Sequence, residues 1–250
     1  MADMITHAPA PHGTAPLPHI LALALTVVLA AGFAVAATAA PARAAAGDPK
    51  CGAGYVGLTF DDGPTPEYTS RLLSALRENG VRATLFNIGE KAEKNRELVV
   101  AEKEAGMWIA NHSWSHPQLT KLPEEEIHSE LERTKDLLEE LTGTAPTLFR
   151  PPYGNTDATV KAVAEGLGMT EIIWDVDTRD WSGKSAEEIV EEAVTVQSGE
   201  VILMHDGYAA TIEAIPAIVE NLRSRELCAG MISPATGKAV EPDDDDPADS

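Results

Sequence analysis

The stretch Tyr55-Val56-Gly57-Leu58-Thr59-Phe60-Asp61-Asp62-Gly63-Pro64 is a short apolar run that leads into two adjacent carboxylates. Residues 56–60 have the length and composition of a buried strand. Comparable apolar runs follow along the chain, each separated from the next by a segment with helical periodicity. Repeated strand–helix units predict a parallel sheet, and six or seven of them without a glycine-rich dinucleotide motif favour an α/β barrel.

The same patterns predict the other elements of the domain. Further strands are predicted at residues 83–88, 107–110, 147–149, 171–174 and 201–204, and helices at residues 70–79, 95–105, 123–141, 157–167, 185–196 and 211–222. Pro123 suits a first helical turn, and the three glutamates after it favour the positive end of the helix dipole. Ser185 and Glu188 predict a capping box. Pro216 either interrupts or starts the last helix.

Polar side chains follow the predicted strands where each strand ends. They are Asp61 and Asp62 after the first strand, His112 after the third, Arg150 after the fourth, Asp175 and Asp177 after the fifth, and His205 after the sixth. In a β/α barrel these positions all lie on the C-terminal rim, where active sites occur. The polar clusters therefore predict one functional site at that rim.

Three of the rim residues, Asp62, His112 and His116, have the composition of a divalent-metal site. Two imidazoles and one carboxylate leave coordination positions open, as a catalytic metal ion requires. Asp61, the carboxylate beside the ligand, can then act as a base towards an attacking water. The pattern predicts a hydrolytic metal centre.

Taken together and in this order, the motifs resemble those of the polysaccharide deacetylases of carbohydrate esterase family 4, which have a NodB-like domain. Five motifs carry the resemblance: Thr59-Phe60-Asp61-Asp62-Gly63-Pro64, His112-Ser113-x-x-His116-Pro117, Arg150-Pro151-Pro152-Tyr153-Gly154, Asp177-x-x-Asp180-Trp181 and Ile202-Leu203-x-His205-Asp206. The resemblance covers residues 55–232. It implies an α/β fold, a deformed (β/α) barrel of about seven strands.

The resemblance also implies a role for each matching residue. Asp62, His112 and His116 would bind the metal. Asp61 would be the general base, tethered by Arg150, and His205 would be the general acid, oriented by Asp177. The backbone N–H of Tyr153 would be an oxyanion donor, and Trp181 and Leu203 would form the pocket for the acetyl methyl group. Zinc (Zn2+) is the expected ion, and cobalt (Co2+) also serves in the family. We expect Arg150 to hold the pKa of Asp61 low, and Asp177 to raise the pKa of His205.

The expected reaction is hydrolysis of acetyl groups on an acetylated polysaccharide or oligosaccharide. Residues 55–232 look most like secreted actinobacterial acetylxylan esterases and chitooligosaccharide deacetylases, so both O-acetyl and N-acetyl groups are expected substrates. A peptidoglycan N-acetylglucosamine deacetylase is the alternative within this fold. A non-haem iron oxygenase would use the same ligand types, but it leaves Asp61, Arg150 and His205 without a role. A catalytically silent sugar-binding protein would have a broken ligand or base position, and none is broken.

The N-terminal segment predicts export. Residues 20–40 are almost unbroken Ala, Leu and Val, and small residues follow up to Ala46. We expect residues 1–46 to be a signal peptide and residues 47–235 to be the secreted catalytic domain. Because no Lys or Arg precedes the apolar run, and because it is long enough to span a bilayer, a retained anchor is the alternative.

Cys51 and Cys228 are the two cysteines of the chain, and in an exported protein such a pair predicts a disulfide. Two unpaired buried thiols are the alternative.

The charge balance restricts the partners. Forty acidic and nineteen basic residues give a net charge of −21, with no basic stripe for nucleic acid. We expect residues 236–250 to be an acidic disordered tail, because the run from residue 241 is acidic and lacks large apolar residues. We also expect a monomer that has no membrane contact once the signal peptide is cleaved.

Overall fold

The fold is a curled parallel sheet. The computed structural model describes residues 51–243. The strands are β1 (Gly54–Gly63), β2 (Thr84–Asn87), β3 (Trp108–Asn111), β4 (Leu148–Phe149), β5 (Thr170–Glu171), β6 (Val176–Asp177), β7 (Val201–His205) and β8 (Leu227–Ala229). Hydrogen bonds connect them in the order β5-β4-β3-β2-β1-β7-β6, and β8 pairs with the N-terminal end of β1. Since β5 and β6 are consecutive in the chain but lie at opposite ends of this order, the seven strands curl into a half-barrel, which confirms the predicted deformed barrel.

Strand β1 is the centre of this sheet. It pairs in parallel with β2 on one side and with β7 on the other, and residues 56–61 are all buried. A strand covered on both faces needs a continuous apolar run rather than an alternating one. Residues 56–60 have such a run, which is why the sequence identified this strand.

The helices cover the outer face of the sheet. They are α1 (Thr69–Glu78), α2 (Gly89–Lys94), α3 (Arg96–Glu104), α4 (Glu124–Thr142), α5 (Ala158–Gly166), α6 (Ala186–Ala193) and α7 (Ala209–Ser224). Leu72 and Leu76 of α1 and Ile218 of α7 pack with Val56 and Leu58 of β1 in the main core. Each such side chain contributes about 1.5–3 kcal/mol through its burial.

The helix boundaries follow the local sequence signals. Helix α4 begins directly after Pro123 and ends at Gly143, whose φ of 75° is left-handed. The capping box of Ser185 and Glu188 is present at the start of α6. Helix α7 continues through Pro216, whose side chain is exposed, so the missing hydrogen bond lies on the solvent side.

The prediction of one strand at residues 171–174 is wrong, because the chain forms two short strands, β5 and β6, in this region. The N–H of Ile172 still donates to the carbonyl of Phe149 on β4 (2.8 Å), whereas the N–H of Asp175 donates to the carbonyl of Val201 on β7 (2.9 Å). The chain therefore crosses the opening of the half-barrel between residues 172 and 175. An apolar run does not reveal such a crossing, since both halves are partly buried.

The C-terminal part of the domain is longer than predicted. Strands β9 (Met231–Ile232) and β10 (Ala239–Val240) form an antiparallel pair, so the ordered domain continues beyond the expected boundary at residue 235. Cys51 and Cys228 form the expected disulfide. The predicted signal peptide, residues 1–46, and residues 244–250 of the predicted acidic tail lie outside the described residues. Within residues 51–243, no helix is long and apolar enough to cross a membrane.

Candidate active site

Asp61 and Asp62 lie at the C-terminal end of β1 and line the same cavity. Consecutive side chains of a regular strand point to opposite faces. Here Asp62 has a left-handed φ of 68°, and the pairing of β1 with β2 shifts register between Asp61 and Gly63. This irregularity turns both carboxylates towards the cavity, as bulges near active sites often do.

Asp62, His112 and His116 form a group that can hold a metal ion. Oδ1 of Asp62 lies 3.6 Å from Nε2 of His112 and 3.4 Å from Nε2 of His116. Candidate ligand atoms of the three residues all lie within 4.8 Å of one another. Among the described residues, Asp62 Oδ1 is buried and has no hydrogen-bond partner. A buried carboxylate oxygen facing two imidazole nitrogens provides the ligand atoms of a divalent-metal site, and a bound ion would supply the partner that this oxygen lacks.

Burial favours the neutral form of both histidines, and a hydrogen bond fixes the tautomer of His112. His112 Nδ1 donates to the carbonyl of Arg150 (2.8 Å), which leaves the Nε2 lone pair facing Asp62. Burial lowers the pKa of His112 to about 3 and also lowers the pKa of His116. Neutral imidazoles with a fixed tautomer are the ligand form that metal ions require.

Arg150 holds the carboxylate of Asp61 on the side away from the cavity. Nη1 of Arg150 donates to Oδ1 of Asp61 (2.6 Å) and to the hydroxyl of Thr59 (2.7 Å), and the guanidinium lies 4.1 Å from the ring centre of Phe86. Burial raises the pKa of Asp61 above its ordinary value, and the charge of Arg150 opposes that rise. The expectation that Arg150 would hold this pKa low is therefore corrected, because burial is the larger effect.

His205 contacts Asp180, not Asp177 as the sequence analysis expected. Nδ1 of His205 lies 2.7 Å from Oδ1 of Asp180, and the backbone N–H of His205 donates to Oδ2 (2.8 Å). Asp177 instead accepts the backbone N–H of Arg179 (2.8 Å) and lines the cavity. Arg179 has a left-handed φ of 55°, and Asp180, the next residue, is buried at 1 % exposure. Burial lowers the pKa of His205, but the hydrogen bond and charge of Asp180 outweigh it, and the net shift is upward.

Two further residues at this rim were not selected from the sequence. Trp174 lines the cavity. Asp206 is buried, accepts hydrogen bonds from the hydroxyls of Thr65 and Thr69, and donates its backbone N–H to the carbonyl of Asp61 (2.8 Å). It thereby fixes the peptide that carries Asp61. Its position next to His205 in the last motif was the available signal.

One cavity of about 440 Å³ brings the predicted residues together. It is lined by Asp61, Asp62, His112, His116, Tyr153, Trp174, Asp177, Trp181, Leu203 and His205. Tyr153 and Trp181 are exposed at its rim, at 61 % and 54 %, whereas Leu203 is buried. Tyr153 has a left-handed φ of 61°, and its ring centre lies 4.6 Å from that of His116. Arg150 does not line the cavity but contacts Asp61, which does.

The chain belongs to the polysaccharide deacetylase family, carbohydrate esterase family 4. The polysaccharide deacetylase family model matches residues 48–172. Among solved structures, a family 4 carbohydrate esterase from Streptomyces lividans in complex with acetate is 52 % identical, with a TM-score of 0.74, over 76 % of this chain and 98 % of that one.

Two curated relatives extend the comparison. A bifunctional xylanase/xylan deacetylase from Cellvibrio japonicus is 44 % identical over 191 residues, which is 76 % of this chain and 29 % of that protein. A peptidoglycan-N-acetylglucosamine deacetylase from Listeria monocytogenes is 37 % identical over 171 residues, 68 % of this chain and 36 % of that protein. The chain thus spans about a third of the length of these curated relatives.

Proposed function

We propose that this protein is a metal-dependent hydrolase that removes acetyl groups from polysaccharides or oligosaccharides. The observation that carries the proposal is the buried, unpartnered Oδ1 of Asp62 facing His112 and His116 in a cavity that also contains Asp61 and His205. A metal site with a base and an acid in one cavity has the parts that acyl hydrolysis requires.

Asp62, His112 and His116 would hold the ion, with zinc proposed first and cobalt as a substitute. A divalent ion there supplies charge for the developing oxyanion and, when it is zinc, lowers the pKa of a bound water to about 7. The three residues offer two neutral nitrogens and one carboxylate, which is a common ligand set of catalytic zinc.

Asp61 is proposed as the general base. Its Oδ1 accepts from Arg150, so Oδ2, 3.6 Å from Nε2 of His112, is the oxygen that remains to take the proton of the attacking water. The raised pKa of Asp61 makes it a stronger base than an exposed carboxylate. Arg150 cannot lose its own proton and keeps the carboxyl group in place.

His205 is proposed as the general acid. Its Nδ1–H is engaged by Asp180, so Nε2–H is the proton available to the leaving oxygen or nitrogen of the sugar. The raised pKa of His205 favours the imidazolium form that must donate this proton. The Asp180 contact supports an orienting role for this residue in place of Asp177.

The remaining cavity residues would hold the acetyl group. We propose the backbone N–H of Tyr153 as an oxyanion donor, and Leu203 with Trp181 as the contact for the methyl group. The exposed rings of Tyr153 and Trp181 at the rim suit the apolar face of a sugar ring. Acetylated xylan is proposed first, given the relative that acts on xylan, with N-acetylated chitin-type oligomers as the second substrate.

Localisation and assembly are part of the same proposal. We propose that the protein is a secreted monomer exported by a cleaved signal peptide. The Cys51–Cys228 disulfide supports the export, because such bonds persist in oxidising compartments.

The second candidate function is deacetylation of the N-acetylglucosamine of peptidoglycan, supported by the 37 % identity to the Listeria enzyme. The test measures acetate released by the zinc-loaded protein from acetylated xylan, N-acetylglucosamine oligomers and peptidoglycan in parallel. Faster release from xylan or the oligomers supports the first candidate, and release from peptidoglycan alone supports the second. A zinc-loaded protein that releases acetate from none of them would refute the proposed activity.

A further inference from the structure

The loop that carries two of the metal ligands, residues 112–116, has an unusual backbone. Ser113 and His116 both have left-handed φ angles, 63° and 60°. Such angles are disfavoured for residues other than glycine and persist only where the surroundings hold them. The loop belongs to no helix or strand, so its backbone groups need partners from elsewhere.

The carbonyl groups of this loop find their partners at the start of α2. The N–H of Gly89 donates to the carbonyl of Ser113 and that of Glu90 to the carbonyl of Trp114, both at 2.9 Å. The first N–H groups of a helix have no partner within the helix. The N–H groups of Gly89 and Glu90 can therefore bind the carbonyl groups of the loop.

The N–H groups in the middle of the loop point the other way, towards α4. One oxygen of Glu130, Oε2, accepts the N–H of Trp114 (2.9 Å) and the N–H of Ser115 (2.8 Å). The other oxygen, Oε1, accepts the hydroxyl of Ser115 (2.8 Å). One carboxylate thus makes three hydrogen bonds to the residues between the two histidine ligands.

Other contacts attach the loop to the same helix. The side chain of Asn111 donates to the carbonyl of Leu131 (2.8 Å) and accepts the N–H of Ser113 (2.9 Å). The guanidinium of Arg133 lies 3.9 Å from the ring centre of Trp114. Among these α4 groups, Glu130 is the one that binds both N–H groups at the centre of the loop.

We infer that Glu130 is a positioning residue for the metal site: its carboxylate sets the backbone of residues 114 and 115, and so the distance between the imidazoles of His112 and His116. This inference rests on the metal-binding part of the proposed function. Glu130 touches neither metal nor substrate. A carboxylate suits this position because both of its oxygens accept hydrogen bonds, and an ionised acceptor makes these three bonds stronger than a neutral amide would.

The test compares Glu130→Ala, which removes all three hydrogen bonds, with Glu126→Ala, the same change at an exposed position one turn earlier on α4. The zinc dissociation constant of each variant and of the wild type is measured by competition with a chromophoric chelator. We expect zinc binding to weaken by about 10- to 100-fold in Glu130→Ala, the usual effect of losing a residue that orients ligands, and to stay at the wild-type value in Glu126→Ala. Equal zinc affinity in the two variants would overturn the inference.

Thermal unfolding of the metal-free variants shows whether Glu130→Ala still folds. If it does not, Ser115→Ala, which removes one of the three hydrogen bonds at an exposed side chain, replaces it. We expect Ser115→Ala to weaken zinc binding by less than Glu130→Ala would, and an unchanged affinity would overturn the inference. A wild-type protein that binds zinc but releases no acetate would refute the proposed function and leave this inference intact.

Discussion

Nδ1 of His205 lies 2.7 Å from Oδ1 of Asp180, and the other oxygen of the same carboxylate accepts the backbone N–H of His205 and the hydroxyl of Thr211. Asp180 therefore fixes both the ring and the backbone of the proposed acid. Since a carboxylate at Nδ1 leaves the proton on Nε2 free for the cavity, this contact determines which nitrogen faces the substrate.

Replacing Asp180 is expected to damage catalysis more than replacing Asp177. Asp180→Asn should lower kcat by about 100-fold or more, the usual contribution of a positioned acid. Because the Asp180 carboxylate raises the pKa of His205, its loss should also move the alkaline limb of the pH–rate profile to lower pH. Asp177→Asn is the matched control. A larger loss of kcat in Asp177→Asn, as the sequence analysis implied, would contradict the structure.

Two alanine variants should affect metal binding and turnover differently. His205→Ala is expected to retain zinc and to lose about 10²- to 10⁴-fold in kcat. Asp62→Ala is expected to lose the metal, because it removes the buried oxygen that faces both imidazoles. Zinc content and acetate release are measured on the same samples. Metal-free His205→Ala, or zinc-replete and active Asp62→Ala, would show that these roles are assigned wrongly.

The Arg150–Asp61 pair should matter for stability as well as for activity. Arg150 is fully buried and Asp61 is 2 % exposed, so Arg150→Met leaves a buried carboxylate without its cation. Breaking one partner of a buried pair typically costs about 3–5 kcal/mol. Urea denaturation of the metal-free protein measures this loss. Arg96→Met, at an exposed ion pair with Glu140, is the control and should change the free energy of unfolding little.

Glu102 should make the stability depend on pH. It is fully buried on α3, and burial raises its pKa to about 8 from an ordinary value of 4.5. A carboxyl with a raised pKa in the folded state stabilises fully below pH 4.5, and this contribution falls as the pH rises towards about 8. The Gln side chain of Glu102→Gln stays neutral, so the free energy of unfolding of this variant should decrease less as the pH rises. Unfolding free energies at a series of pH values test this, and parallel curves for both proteins would contradict it.

Much of the fold could be predicted because its signals are local. The apolar run at residues 56–60, the glutamates after Pro123 and the Ser185–Glu188 box each act within a few residues, and each marks an element that the structure contains. The metal group could also be predicted, because Asp62 lies at the end of β1 and His112 directly follows β3. Helix α2 and strands β8 to β10 were not predicted, because short elements have weak periodic signals.

The parts that could not be predicted depend on backbone angles and on burial. Asp177 and Asp180 lie in one motif with the left-handed Arg179 between them, and the spacing of the motif does not tell which carboxylate contacts His205. The pKa of Asp61 depends on the balance between burial and the charge of Arg150, which a sequence does not contain. Glu130 is separated from the metal loop by fifteen residues, and on a helix with many glutamates nothing local distinguishes it.

The metal requirement is checked by acetate release from acetylated xylan before chelation, after chelation, and after zinc or cobalt is returned. We predict that release stops when the metal is removed and recovers when either ion is restored, and that Asp62→Ala recovers with neither. Release that continues at the wild-type rate in the metal-free protein would contradict a metal centre formed by Asp62, His112 and His116.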